Sequence, residues 1–172
     1  MSAMVGTPGF GKPGDLSGLD EAEMQCWDQF FQSAWLFYET LNRELIGTHN
    51  LSLFDVQLLD LLAKSEGGSA RMGDVAEALI LQPSRVSEQI RRLESHGLVL
   101  RRASKRDRRG VVATVTQEGR ARLKPALVTY SRVVRTFYLG QMSRQQMIAL
   151  GESSRRVAVG LKSRMAAKIG RI

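Results

Sequence analysis

Cysteine is nearly absent. Cys26 stands alone, so no intramolecular disulfide can form, and the expected compartment is the reducing cytoplasm. Histidine is almost as scarce: His49 and His96 lie far apart with no second cysteine to join them, which argues against any structural metal site. No apolar run approaches the roughly 20 residues that span a bilayer. The N-terminal stretch MSAMVGTPGFGKPGDLSG carries no hydrophobic segment of signal-peptide type. A glycine-rich phosphate loop, a metal-ligand cluster and a nucleophile elbow are all missing, and neither histidine has an evident partner in sequence. Neither an enzyme nor a cofactor is therefore expected. Acids are in short supply as well, with 17 Asp and Glu against 25 Lys and Arg, a net charge of +8 over 172 residues. Such a balance attracts polyanions, nucleic acid first.

What is present is concentrated. Nine cations (Arg85, Arg91, Arg92, Arg101, Arg102, Lys105, Arg106, Arg108, Arg109) face three acids (Glu88, Glu94, Asp107) within 25 residues, and the surplus is most of the charge of the whole chain. Like charges packed this tightly repel, and little in a folded monomer explains keeping them; a phosphate backbone or a minor groove does.

Along the chain, residues 1–18 hold five Gly and two Pro with little apolar content and read as a disordered tail. Residues 19–172 read as one domain. From Leu19 to Ile46 the residues Met24, Trp27, Phe31, Ala34, Phe37, Leu41 and Leu45 recur at helical spacing, with Gly47 and Asn50 breaking the pattern. Ser52 caps a second helix, and Asp55 completes its capping box; Phe54, Leu58, Leu61 and Leu62 form its core face. A short extended piece, Ser69 to Arg71, leads to a third helix carrying Val75, Ala76, Leu79 and Ile80. Pro83 suits the first turn of a fourth, which Gly97 ends. Two strands follow, Leu98 to Arg102 and Val111 to Thr116, with a charged turn between them. Thr116 then caps a helix to about Leu139, expected to kink or tighten at Pro125, and Ser143 caps a last one to about Lys168.

In the fourth helix Val86, Ile90 and Leu93 share one face. The opposite face shows Ser84, Glu88, Arg91 and Ser95, flanked by Arg85, Ser87 and Arg92. Two short helices joined by Leu81-Gln82-Pro83, the second apolar inside and arginine-rich outside, describe a helix-turn-helix.

The stretch Leu51 to Leu123 resembles the MarR family of winged-helix regulators. The matching pieces are LSLFDVQLLDLL, DVAEAL, SRVSEQIRRLESHGLVLR and DRRGVVATVTQEGRARL. In the last of these, Asp-x-Arg at a hairpin tip precedes a strand, Thr-x-x-Gly and a helix. The resemblance implies a mainly α fold with a small β-hairpin wing: a winged helix-turn-helix core over 51–119, with long dimerisation helices over 19–50 and 120–170. It implies a homodimeric, sequence-specific regulator of transcription on double-stranded DNA, a repressor relieved by a ligand and bound to a pseudo-palindromic operator. An architectural DNA-binding protein with weak sequence preference is the alternative. Ser84, Arg85, Ser87, Glu88, Arg91 and Arg92 would belong to the recognition helix, and Lys105, Arg106, Arg108 and Arg109 to the wing, with Asp107 bracing it. The family commonly has Ser or Thr at position 71 and Arg at position 88. Glu88 here either accepts from a cytosine amino group or pairs with Arg92.

Phe31, Trp35, Tyr38 and Phe54 are candidates to line a pocket for a small aromatic or phenolic ligand. Trp27, Asp55 and the wing arginines suggest urate-type sensing. The arginine such sensors place near Gln89 is missing, however, and the cap accounts for Asp55. Cys26 lacks the tyrosines that accompany it in peroxide sensors of the family and is expected to be buried and inert. Apolar residues such as Phe31, Phe37, Val133, Phe137, Leu150 and Val157 exceed what the central core can cover, which also calls for a dimer.

Overall fold

The computed structural model describes residues 16–103 and 110–169, the side chains of 165–169 excepted. The expected tail falls outside these residues, save for its last three positions. The chain divides into two compact units after Thr40.

The first helix, α1, spans Glu21–His49. It runs straight through Gly47 and stops where Asn50 takes a left-handed φ of 52°. Asn tolerates that conformation because its short polar side chain can bond locally. In the first unit the aromatic stripe is partly exposed: Trp27 stacks on Phe31 at 5.8 Å between ring centres, and Trp35 leans on Tyr38 at 5.9 Å. Cys26 is exposed, which corrects the expectation of burial, because its face of α1 has no described neighbour to cover it.

The second unit is built on the end of α1. Leu41 and Leu45 are buried there. It continues through α2 (Leu53–Lys64), a 3-10 turn (Glu66–Gly68), β1 (Ser69–Arg71), α3 (Met72–Ala78), α4 (Pro83–Ser95), β2 (Val99–Ala103), β3 (Val111–Val115), α5 (Gln117–Val133) and α6 (Arg144–Ile169). The short extended piece proves to be a true strand, so the hairpin grows into a three-stranded antiparallel sheet of order β1-β3-β2. Its register sets Ala70 opposite Ala113 and Arg101 opposite Ala113 on the other side.

Local chemistry explains most boundaries. The Ser52 capping box on α2 is complete in both directions. Its buried face, however, is Leu53, Val56, Leu58, Leu59 and Leu62, while Phe54 and Leu61 are only half-buried. Helix α4 ends in a Schellman motif: Gly97 (φ 72°) donates to the Glu94 carbonyl and Leu98 to the Leu93 carbonyl, each at 2.9 Å. Leu93 and Leu98 are both buried there, so the turn delivers the chain directly into β2. Thr116 caps α5 by accepting from the Gly119 N–H at 2.9 Å. A side chain at Gly119 would run into the Leu98 carbonyl, so only glycine lets α5 start so close to the sheet.

Two expectations change in α5. Helix α5 passes Pro125 without a break, since that residue lies on its exposed side and water can take the carbonyl it leaves unpaired. The departure comes later, in a π turn over Val134–Tyr138 followed by a 3-10 turn over Leu139–Gln141. Val133, expected on an uncovered stripe, is buried within its own unit. The end of α1 and α5 are tied by His49 Nε2 to Thr129 Oγ1 at 2.8 Å and by Arg132 to Glu44 at 2.9 Å.

Helix α3 is shorter than its apolar pattern suggests. Leu79 is its cap, and Ile80 sits at φ 55° and is 54% exposed, not in the core. The Ile80 and Leu81 amides close a second Schellman motif onto Glu77 and Ala76, which forces the left-handed residue. A β-branched residue pays a steric penalty there. Ile80→Gly is expected to stabilise the fold by about 1 kcal/mol. Urea denaturation checks this, and an unchanged or lower midpoint would contradict the strain.

Candidate nucleic-acid interface

Helix α4 is anchored by its apolar edge: Val86, Ile90 and Leu93 are almost fully buried. Burying them fixes which edge faces out. Ser84, Arg85, Glu88, Arg91 and Arg92 are exposed and Ser87 is half-buried, so the six expected residues of this helix do gather on one side. Pro83 occupies the first turn, where its missing N–H has no helical partner.

The cations there are not equivalent. Arg92 pairs with Asp55, not with Glu88, and Arg101 pairs with Glu94 at 2.6 Å. Glu94 also accepts the Arg101 backbone N–H at 3.2 Å, pinning the base of the hairpin to the end of α4. Arg85, Arg91 and Arg102 have no ion-pair partner among the described residues. Lys105, Arg106, Asp107, Arg108 and Arg109 lie outside the described residues.

A cleft of about 370 Å³ opens between the start of α3, α4 and the hairpin. Arg71, Gly73, Ser87, Arg101 and Gly110 are among its lining residues. The guanidinium of Arg71 lies over a groove walled by a helix and a hairpin and suits a polyanion, because it offers a planar fork of donors to phosphate oxygens, whereas that of Arg101 is held by Glu94. Sequence reasoning missed Arg71 as part of this surface. Its position directly before the third helix was the available signal.

Beneath the surface lies a second finding. Asp55, expected to serve only as a cap, also accepts from Gln89 and Arg92 of α4. Nothing in the sequence joins residues 34 and 37 positions apart.

Of the candidate ligand residues, Phe31, Trp35 and Tyr38 are exposed in the first unit, and Phe54 is half-buried in the second. An apolar hollow of about 560 Å³ in the first unit is lined by Leu19, Cys26, Trp27 and Phe30, among others. Among the described residues, no group of His, Cys, Asp and Glu could hold a metal ion, and no helix is long and apolar enough to cross a membrane.

The family model described as MarR family matches residues 51–111. No curated protein gives a significant match. Among solved structures, Sco3205 of Streptomyces coelicolor, a MarR family transcriptional regulator in complex with DNA, is 31% identical with a TM-score of 0.79. That similarity covers 83% of this chain and 93% of Sco3205. AbsC, a MarR family transcriptional regulator of the same organism, is 27% identical over 84% of this chain and 97% of its own, also with a TM-score of 0.79. The organohalide-sensing regulator RdhR, in its 2,4-dichlorophenol-bound form, shares the fold at 20% identity and a TM-score of 0.71, covering 86% of this chain and 85% of its own.

The Ser52 hydroxyl both caps α2 and donates to the buried Asp55 carboxylate at 2.7 Å. Ser52→Ala is therefore expected to lower stability by about 1–2 kcal/mol. Urea titration measures it; a loss below a few tenths would mean that the other donors suffice.

Proposed function

The chain belongs to the MarR family of transcriptional regulators, and from that premise we propose that it binds double-stranded DNA sequence-specifically, as a homodimer on a pseudo-palindromic operator. It acts as a repressor that a small aromatic or phenolic ligand relieves. The observation that carries the reading is the division of α4 into a buried apolar edge and an exposed edge bearing Arg85 and Arg91. Such a helix fits the major groove. In this reading Arg102, Lys105, Arg106, Arg108 and Arg109 serve phosphate or the adjoining minor groove, with Asp107 as the wing's internal acceptor. Similarity to Sco3205, whose structure holds DNA, supports the same reading.

Dimerisation is supported by α6. Ile148, Val157, Val159 and Leu161 are each more than half exposed, and every residue from Gly151 to Arg164 is exposed. A helix of 26 residues gains little stability without an apolar face to bury, and a second copy supplies one. The ligand reading rests on the aromatic character of Phe31, Trp35 and Tyr38, each partly exposed, since aromatic rings offer flat apolar surface to a ring.

The purified protein is expected to sediment as a dimer without DNA, and truncation from Met142 onward to aggregate. A well-folded monomeric truncation would sink the dimer.

On DNA, Arg85→Ala should cost roughly 1–3 kcal/mol on a duplex selected from a random library and relax preference at one base pair per half-site. Arg106→Ala should weaken selected and random duplexes together and flatten the salt dependence. Affinity across a salt series separates the two, and a selected duplex bound little better than a random one would indicate an architectural protein.

A further inference from the structure

Arg92 stands on the exposed edge of α4 beside Arg91, yet its guanidinium turns onto a carboxylate that water does not reach. The Asp55 side chain is 0% exposed, whereas that of Arg92 is 42% exposed. Asp55 Oδ2 accepts from the Ser52 N–H and O–H, each at 2.7 Å, and from Arg92 Nη2; Oδ1 accepts from Gln89 Nε2. A carboxylate is an acceptor only, so all four donors serve one desolvated charge. Two come from the start of α2 and two from α4. Gln89 and Arg92 are three residues apart, and hence on one edge of their helix.

We propose that Arg92 is a brace, not a DNA contact, and that Asp55 is a positioning residue that sets the rotation of α4 about its own axis. The inference rests on the reading of α4 as the DNA-reading helix. Its physical basis is a difference in kind between the two edges of α4. Val86, Ile90 and Leu93 hold the helix down through apolar contact, which has no preferred direction. The bonds from Gln89 and Arg92 onto one fixed carboxylate are directional. At the roughly 6 Å radius of a helix with its side chains, a 10° turn moves a side chain by about 1 Å. Bidentate base contacts do not survive many such steps. Arg85 and Arg91 therefore point where Asp55 lets them, and the charge of Arg92 is already committed inside the protein.

The test compares Arg92→Gln, Asp55→Asn, the double variant and Arg106→Ala on a random-sequence duplex and on a duplex selected by the wild-type protein. A cation on a phosphate contributes about 0.9 to the slope of log K against log salt, nearly two per dimer. Arg92→Gln is expected to change that slope by less than about 0.5. Its preference for the selected over the random duplex should fall about tenfold, Asp55→Asn should match it, and the double variant should lose no more than either. A slope cut by nearly two, or losses that add, would overturn the brace.

Hydrogen exchange of the α4 amides, without DNA, gives an independent reading. Faster exchange in Arg92→Gln supports the brace and unchanged rates overturn it. Arg92→Gln leaves the α2 cap intact, so this arm stands even if Asp55→Asn misfolds. Failure of the wild-type protein to bind either duplex would instead overturn the proposed function, and exchange would still decide the brace.

Discussion

A negative charge inside a protein must be answered by donors, and the carboxylate of Asp55 is answered from two helices at once. Through Ser52 it closes the first turn of α2; through Gln89 and Arg92 it grips α4. The turn between α3 and α4, the descent from α4 into β2 and the seating of α5 against Leu98 all follow from where α4 lies. Apolar burial would hold α4 close without fixing its angle. The ionic tie supplies direction, which burial lacks.

A second polar tie works at the other end of the same helix. Glu94 takes both the backbone N–H and the guanidinium of Arg101, joining α4 to β2. Two arginines of the basic cluster are thus engaged within the chain. The density of positive charge in the sequence overstates the charge offered outward, and it is Arg71, Arg85, Arg91 and Arg102 that remain without an ion-pair partner among the described residues. Pairing of this kind limits the self-repulsion that the sequence alone suggests.

Much of the fold was legible in the chain because its signals are local. The capping box at Ser52, Pro83 in a first turn, Gly97 as a left-handed residue and Thr116 as a cap each depend on neighbours within a few positions. The buried edge of α4 was legible for the same reason, since 3.6-residue periodicity places Val86, Ile90 and Leu93 together wherever the helix lies. Where local signals competed, reading failed. Ile80 continues the apolar pattern of α3, yet the hydrogen bonds of the turn take it out of the helix. Gly47 reads as a breaker, yet α1 continues to His49, whose ring and carbonyl tie to α5. Ser69 to Arg71 read correctly as a short extended piece, but only pairing with β3 makes it a strand of the sheet.

The sequence by itself determined the elements, the basic character of one region and the edge that α4 turns inward, because each follows from spacing along a single chain. Only the tertiary structure decided what each charge is for. Asp55 reads as a finished cap, and Arg92 as one more surface cation, until folding brings positions 55, 89 and 92 to one buried point. Hydrogen bonds depend on distance in space, and separations of 34 and 37 residues leave no periodic trace in the chain that makes them.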